Sequence, residues 1–318
     1  MVKKVTEAII AEERDKNHKI LAERLEAELK KSNHELIPSN QNNGNTFKKT
    51  HVNLNTENYI IEVHPQRNLE SLILPDPVVR LCEQYIQEQF RADLLRSYGL
   101  EPRSRILLIG APGTGKTSLA EAIAESMMLP LFIVKYDNII GKYLGETASR
   151  LRKLMDYAST RKCVLFFDEF ETLGKERGDS HETGEIKRVV SSLLLQIDDL
   201  PSHVTVIAAT NHPELLDKAV WRRFQIRMNL PMPSRAKISL WLERFQQKHN
   251  VDFEYANETI AKKLHGFSFS EVEEFGLSVL RRHVLSLPDK NLKAIVADEL
   301  KNWNFRTTTV EPKYNQIE

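Results

Sequence analysis

The chain has 318 residues, 41% of them apolar, which is enough for about two domains of ordinary size, each with its own core. Lys and Arg number 45 against 44 Asp and Glu, so no overall field draws the protein to nucleic acid or to an anionic membrane. Cys82 and Cys163 form neither a CxxC pair nor a disulfide framework, which suits packed thiols in a reducing compartment, and no run approaches the roughly 18 apolar residues of a membrane span. Ala8-Ile-Ile-Ala11 is too short for a signal segment, so a soluble, cytoplasmic protein without membrane contact is expected.

Residues 3–31 are rich in Lys, Glu, Ala and Leu and lack Gly and Pro, and Leu21, Leu25 and Leu29 recur at helical spacing. This predicts a charged helix over 1–35 with one apolar stripe, which either recruits a partner or substrate or packs on its own domain. The polar run Ser39 to Asn45 cannot repay the entropy of ordering and marks a flexible linker over 36–58. A short strand is expected at Tyr59 to Val63, and Pro75 and Pro77 lead into a helix over Val78 to Tyr98.

From Arg105 onward, short β-rich runs alternate with helical segments: Ile106 to Ile109, Leu131 to Val134, Val164 to Phe167, Val204 to Ala209 and Ile226 to Leu230. Apolar strands separated by helices argue for an α/β fold in which a parallel five-stranded sheet is flanked by helices on both faces. After Pro231 and Pro233 the β signal ends, and Ser234 to His249, Asn257 to His265, Ser270 to Leu285 and Asn291 to Trp303 read as helices. The expected boundaries are therefore 59–232 for the α/β part and 233–318 for a small α-helical lid with a C-terminal tail.

Gly110-Ala-Pro-Gly-Thr-Gly-Lys-Thr117 fills the pattern of a phosphate-cradling loop and sits where that pattern needs to be, after a strand and before a helix that continues through Ser118. Glycines let successive N–H groups converge on phosphate oxygens, and a helix N-terminus adds a fractional positive charge. Residues Gly110, Ala111, Pro112, Gly113, Thr114, Gly115, Lys116, Thr117 and Ser118 are thus expected to bind a nucleoside triphosphate such as ATP. Lys116 would reach the β- and γ-phosphates and Thr117 would ligate Mg²⁺. The apolar strand Val164 to Phe167 ends in Asp168 and Glu169, which places one carboxylate for Mg²⁺ and one to polarise an attacking water. The strand over Val206 ends at Asn211, an amide that can hold that water and sense the γ-phosphate. Arg222, Arg223 and Arg227 follow on the segment leading to the last strand.

These motifs, in this order and spacing, resemble the AAA subgroup of the AAA+ ATPases over about residues 75–285, with Thr210 to Asp217 and Arg222-Arg223-Phe224 adding specificity beyond the phosphate loop. The resemblance implies a P-loop NTPase fold, ATP hydrolysis with Mg²⁺, and a homo-oligomeric ring, usually a hexamer, in which Arg222 and Arg223 complete a neighbour's site. Lys142, Tyr143 and Leu144, between Ile140 and Glu146, are similar to the family's aromatic-hydrophobic-glycine pore loop, which grips an extended polypeptide. Lys175 to Gly184 stands where the family has a second pore loop, with His181 a candidate substrate contact. Two positions depart from the family: Phe269 stands where a small residue is common, and either stacks on the base or narrows its pocket, while Leu242 replaces a lid histidine.

The implied activity is an ATP-driven motor that unfolds or remodels protein substrates. No H-E-x-x-H occurs, so a protease fed by such a motor would be a separate chain. A nucleotide-gated scaffold regulating a partner enzyme is the alternative reading. A nucleic-acid motor fits less well, given the neutral charge and the aromatic pore loop.

Overall fold

The computed structural model describes residues 59–139, 144–173, 182–286 and 291–310. The expected N-terminal helix and linker, residues 1–58, lie outside the described residues. Strand β1 (Ile60–Val63) is followed by α1 (Asp76–Phe90) and α2 (Ala92–Ser97), and then by β2 (Arg105–Ile109) and α3 (Lys116–Ser126). Next come β3 (Leu131–Val134), α4 (Tyr136–Ile139), α5 (Leu144–Ser159), β4 (Cys163–Phe167) and a 3-10 turn over Phe170–Leu173. Helix α6 (Glu182–Asp199), β5 (Val204–Thr210), α7 (Lys218–Arg223) and β6 (Ile226–Asn229) complete the α/β part. The C-terminal part is helical: α8 (Arg235–His249), α9 (Asn257–Lys263), α10 (Phe269–Leu285) and α11 (Leu292–Val310).

Among the described residues the sheet has six strands in the order β1-β3-β4-β5-β2-β6, one more than the five parallel runs expected. The extra strand is β1, which pairs antiparallel with β3 on the edge, Ile60 opposite Val134 and Val63 opposite Leu131. Four residues reading buried, half-buried, half-buried, buried carry too little periodicity to announce a sheet position. The expected helix over Val78 to Tyr98 is two helices, because Arg91 leaves helical geometry at φ −107° and ψ 26°.

Every residue of β4 and β5 is buried, as strands covered on both faces require. Period-two alternation sorts the side chains: Leu107, Leu165, Phe167, Val206 and Ala208 face Leu151, Leu154 and Met155 of α5 and Leu193 and Ile197 of α6. Ile106, Leu108, Val164, Phe166, Ile207 and Ala209 face Leu119 and Ile123 of α3 and Val78, Cys82 and Tyr85 of α1. The helical part has its own core, built on Ile238, Leu242, Phe245, Val272, Phe275, Val296 and Trp303. Among the described residues no helix is long and apolar enough to cross a membrane.

Candidate active site

Strand order decides which loops meet. Because β5 lies between β4 and β2, and Ile109 registers with Thr210 while Phe167 registers with Ala208, the C-terminal tips of all three strands end side by side. Gly110 N–H continues the ladder to Thr210 O at 3.2 Å, so the loop after β2 springs directly from the neighbouring tip. Ligand sites of open α/β sheets form at such carboxyl ends.

The loop ends at Gly115, which caps α3 with φ +97°, a left-handed conformation that glycine adopts without cost. Among the described residues no side chain caps this helix, a kind of helix start that suits an anion. Gly113 has φ +75°, and a Cβ there would stand 2.5 Å from Ser268 Oγ, because the start of α10 lies directly against the loop. Ser270 N–H donates to Gly113 O at 3.2 Å, and Ser268 and Glu271 form a reciprocal capping box that sets the helix start.

Lys116 is 6% exposed, and its Nζ donates to Gly110 O at 2.8 Å, Ala111 O at 3.0 Å and Asn211 Oδ1 at 2.6 Å. Burial pulls its ammonium below the ordinary lysine value, opposed by the carboxylates of Asp168, Glu171 and Glu169. Thr117 Oγ1 donates to Asp168 Oδ2 at 3.0 Å, which brings two hard oxygen donors together. Asp168 Oδ1 accepts from Glu169 N–H at 3.0 Å, and Glu169 itself is held at φ +46°, with its carbonyl accepting from Thr172 N–H at 2.9 Å. A non-glycine residue in that region costs about 1–3 kcal/mol and is retained where the surroundings over-determine it, as they do at many reactive sites. The Glu169 side chain is exposed rather than packed into the sheet core.

Two functional-site neighbours escaped the sequence reading. Glu171 is 4% exposed, and its Oε1 accepts from Asn211 N–H at 3.1 Å. The only sequence signal was a third carboxylate set between Phe170 and Leu173. Tyr136 opens α4 with its hydroxyl buried and without a partner among the described residues, its ring 6.4 Å from that of Phe167. Burial, reinforced by Asp168, Glu171 and Glu169, pushes its phenol well above the ordinary range.

The structure separates the arginine pair. Arg223 Nε donates to Asp198 Oδ2 at 2.6 Å and its Nη1 to Ala219 O at 3.2 Å, whereas Arg222 is exposed and has no partner among the described residues. Phe269 lines a cavity of about 120 Å³ beside the loop, together with Pro75, Thr114, Leu230, Met232 and Lys237. Leu242 is fully buried in the helical core and does not line that cavity. Lys142, Tyr143 and His181 lie outside the described residues. Leu144 is the first residue of α5.

A model of the family described as "ATPase family associated with various cellular activities (AAA)" matches residues 106–232. Over 291 residues the chain is 37% identical to an uncharacterized AAA family ATPase, y4kL, of Sinorhizobium fredii, covering 88% of this chain and 84% of that protein. It is 31% identical to a putative 26S proteasome regulatory subunit homolog of Methanothermobacter marburgensis, covering 61% of this chain and 52% of the relative. It is 36% identical to the ATP-dependent zinc metalloprotease FtsH 2 of Phytoplasma mali, covering 59% of this chain and 29% of the relative. The chain thus spans about half or less of the last two relatives.

Proposed function

This chain belongs to the AAA family of ATPases, and we propose that it is a cytoplasmic ring motor, hexameric as the resemblance implies, that couples ATP hydrolysis to the remodelling of protein substrates. The observation that carries the reading is the convergence of Lys116, Thr117, Asp168, Glu169 and Asn211 at the adjoining tips of β2, β4 and β5.

Gly110 to Ser118 wraps the phosphates, with the free amides at the start of α3 facing them. Lys116 exchanges the carbonyls of Gly110 and Ala111 for β- and γ-phosphate oxygens. Thr117 and Asp168 suit Mg²⁺, which takes one or two protein oxygens and fills its shell with phosphate and water. Bound there, the ion offsets charge on the phosphoryl oxygens. Glu169 draws the proton of the attacking water, and the Asn211 amide fixes that water against the terminal phosphate. The base enters the cavity beside Phe269, whose ring supplies a stacking wall. Arg222 completes the site of the next subunit. We assign the α/β part to 59–232 and the lid to 233–318, joined at the loop through Ser270 and Gly113.

Lys142, Tyr143 and Leu144 grip the substrate by van der Waals contact, which reads no sequence. Two relatives carry names that speak of proteasome regulation and proteolysis, which supports a polypeptide as the substrate and a separate enzyme such as a protease as the partner. The test is paired. ATP turnover per chain should rise with protein concentration as rings assemble, and Tyr143→Ala should keep ATP binding while losing remodelling of an unfolded model protein. Concentration-independent turnover, or full remodelling by that variant, sinks the proposal.

A further inference from the structure

Asn211 is held at both ends by residues far away in sequence. Its side-chain Oδ1 accepts from Lys116 Nζ at 2.6 Å, and its main-chain N–H donates to Glu171 Oε1 at 3.1 Å. The first tie is exchangeable, because Lys116 has to turn to the phosphates. The second is not, since Glu171 is 4% exposed and sits on the 3-10 turn that follows the Asp168-Glu169 pair.

A buried carboxyl is an expensive way to satisfy one amide at a strand tip, where water or a carbonyl would serve. The expense here is larger, because Glu171 Oε2 is also buried and has no partner among the described residues. Packing does not demand the group either: Phe167, Phe170 and Phe224 fill the adjacent core edge-to-face, with centroids 5.9 and 5.8 Å apart. What the carboxyl supplies is a rigid acceptor tied by three residues of chain to Asp168.

We propose that Glu171 is a positioning residue for hydrolysis: it fixes the Asn211 main chain so that the amide side chain meets the terminal phosphate at a set height relative to Asp168 and Glu169. The inference rests on the role proposed above for Asn211. Turnover therefore depends on one hydrogen bond between the turn after β4 and the tip of β5, a bond that touches neither nucleotide nor water.

The test compares Glu171→Met, which keeps the volume and removes the acceptor, with Glu171→Gln, which keeps an acceptor at Oε1. Steady-state ATP hydrolysis by the assembled full-length protein is measured along with ATP binding. A misplacement of this kind lowers kcat by about ten- to a hundred-fold in the Met variant, with KM within about three-fold. The Gln variant recovers kcat to within about three-fold of the parent, which a merely structural role does not predict. Combining Glu171→Met with Asn211→Ala costs no more than Asn211→Ala alone. A Met variant as fast as the parent, or a Gln variant as slow as the Met one at unchanged Tm, overturns the proposal. An Asn211→Ala protein with full turnover overturns instead the role of Asn211 beneath it. Should the Met protein not fold, the Gln protein decides. Retained protection of the Asn211 amide from hydrogen exchange with near-parental kcat supports the proposal, and a loss beyond about ten-fold with protection intact refutes it.

Discussion

Lys116 Nζ donates to Asn211 Oδ1 at 2.6 Å across 95 positions of sequence, so the phosphate loop and the tip of β5 are already joined through the two side chains that would share the terminal phosphate. On the role proposed for Lys116, binding would exchange one set of acceptors around it for another, and the strength of the outgoing set would tune affinity.

Asn211→Asp replaces a neutral acceptor with a charged one, making the tie to Lys116 shorter and roughly twice as strong while adding a negative charge beside the phosphates. The expected outcome is a raised Tm with ATP affinity weakened by more than about ten-fold. Titration with a fluorescent ATP analogue checks this. Unchanged affinity would mean that Lys116 does not leave Asn211 on binding.

The two arginines should behave differently although they are adjacent. Arg222→Ala should lower turnover by about 10³-fold or more in assembled protein, leaving Tm and ATP binding unchanged, as for an arginine supplied to a neighbour's transition state. Arg223→Ala breaks the partly exposed pair with Asp198 and should cost about 0.5–1 kcal/mol of stability besides any loss of rate. Thermal melts and mixed assemblies with a Glu169→Gln chain separate the two effects. Equal destabilisation by both substitutions would count against the division.

Tyr136→Phe removes a buried hydroxyl that has no hydrogen-bond partner among the described residues, so stability should rise by about 1–3 kcal/mol. Denaturant unfolding measures it. A fall in stability would show that the hydroxyl is paired in solution.

Cys82 and Cys163 are both fully buried, and burial pushes each thiol up to about 12. The folded-state value stands above the ordinary 9.0, so the thiolate is suppressed in the native protein and appears on unfolding through pH 8 to 9. Neither thiol should react with a disulfide reagent at pH 8 until denaturant is added. Rapid native labelling of either one would contradict their packing.

The strands from Ile106 to Leu230 were legible because a strand buried on both faces must be apolar along its length, and β4 and β5 are. The edge strand β1 was legible as a strand but not as a member of the sheet, since pairing with β3 depends on a partner about 70 residues away rather than on a local signal. Phe269 illustrates the same limit at the site. Its sequence position left stacking and narrowing open, and the fold puts it on the wall of the cavity beside Thr114 and Lys237. Leu242, singled out for the same region, belongs to the helical core.

By itself the sequence determined the phosphate loop, the carboxylates at the end of an apolar strand, the family and the succession of an α/β part and a helical part. Each of these is written in local spacing, where backbone sterics and side-chain periodicity act over a few residues. Only the tertiary structure decided that Glu171 holds Asn211, that Arg223 is tied to Asp198 while Arg222 has no partner among the described residues, and that Ser268 rests against Gly113. Those relationships follow from the strand order β4-β5-β2 and from the docking of α10, which bring together groups 25 to 155 positions apart, and no local pattern encodes which distant chemistry will meet.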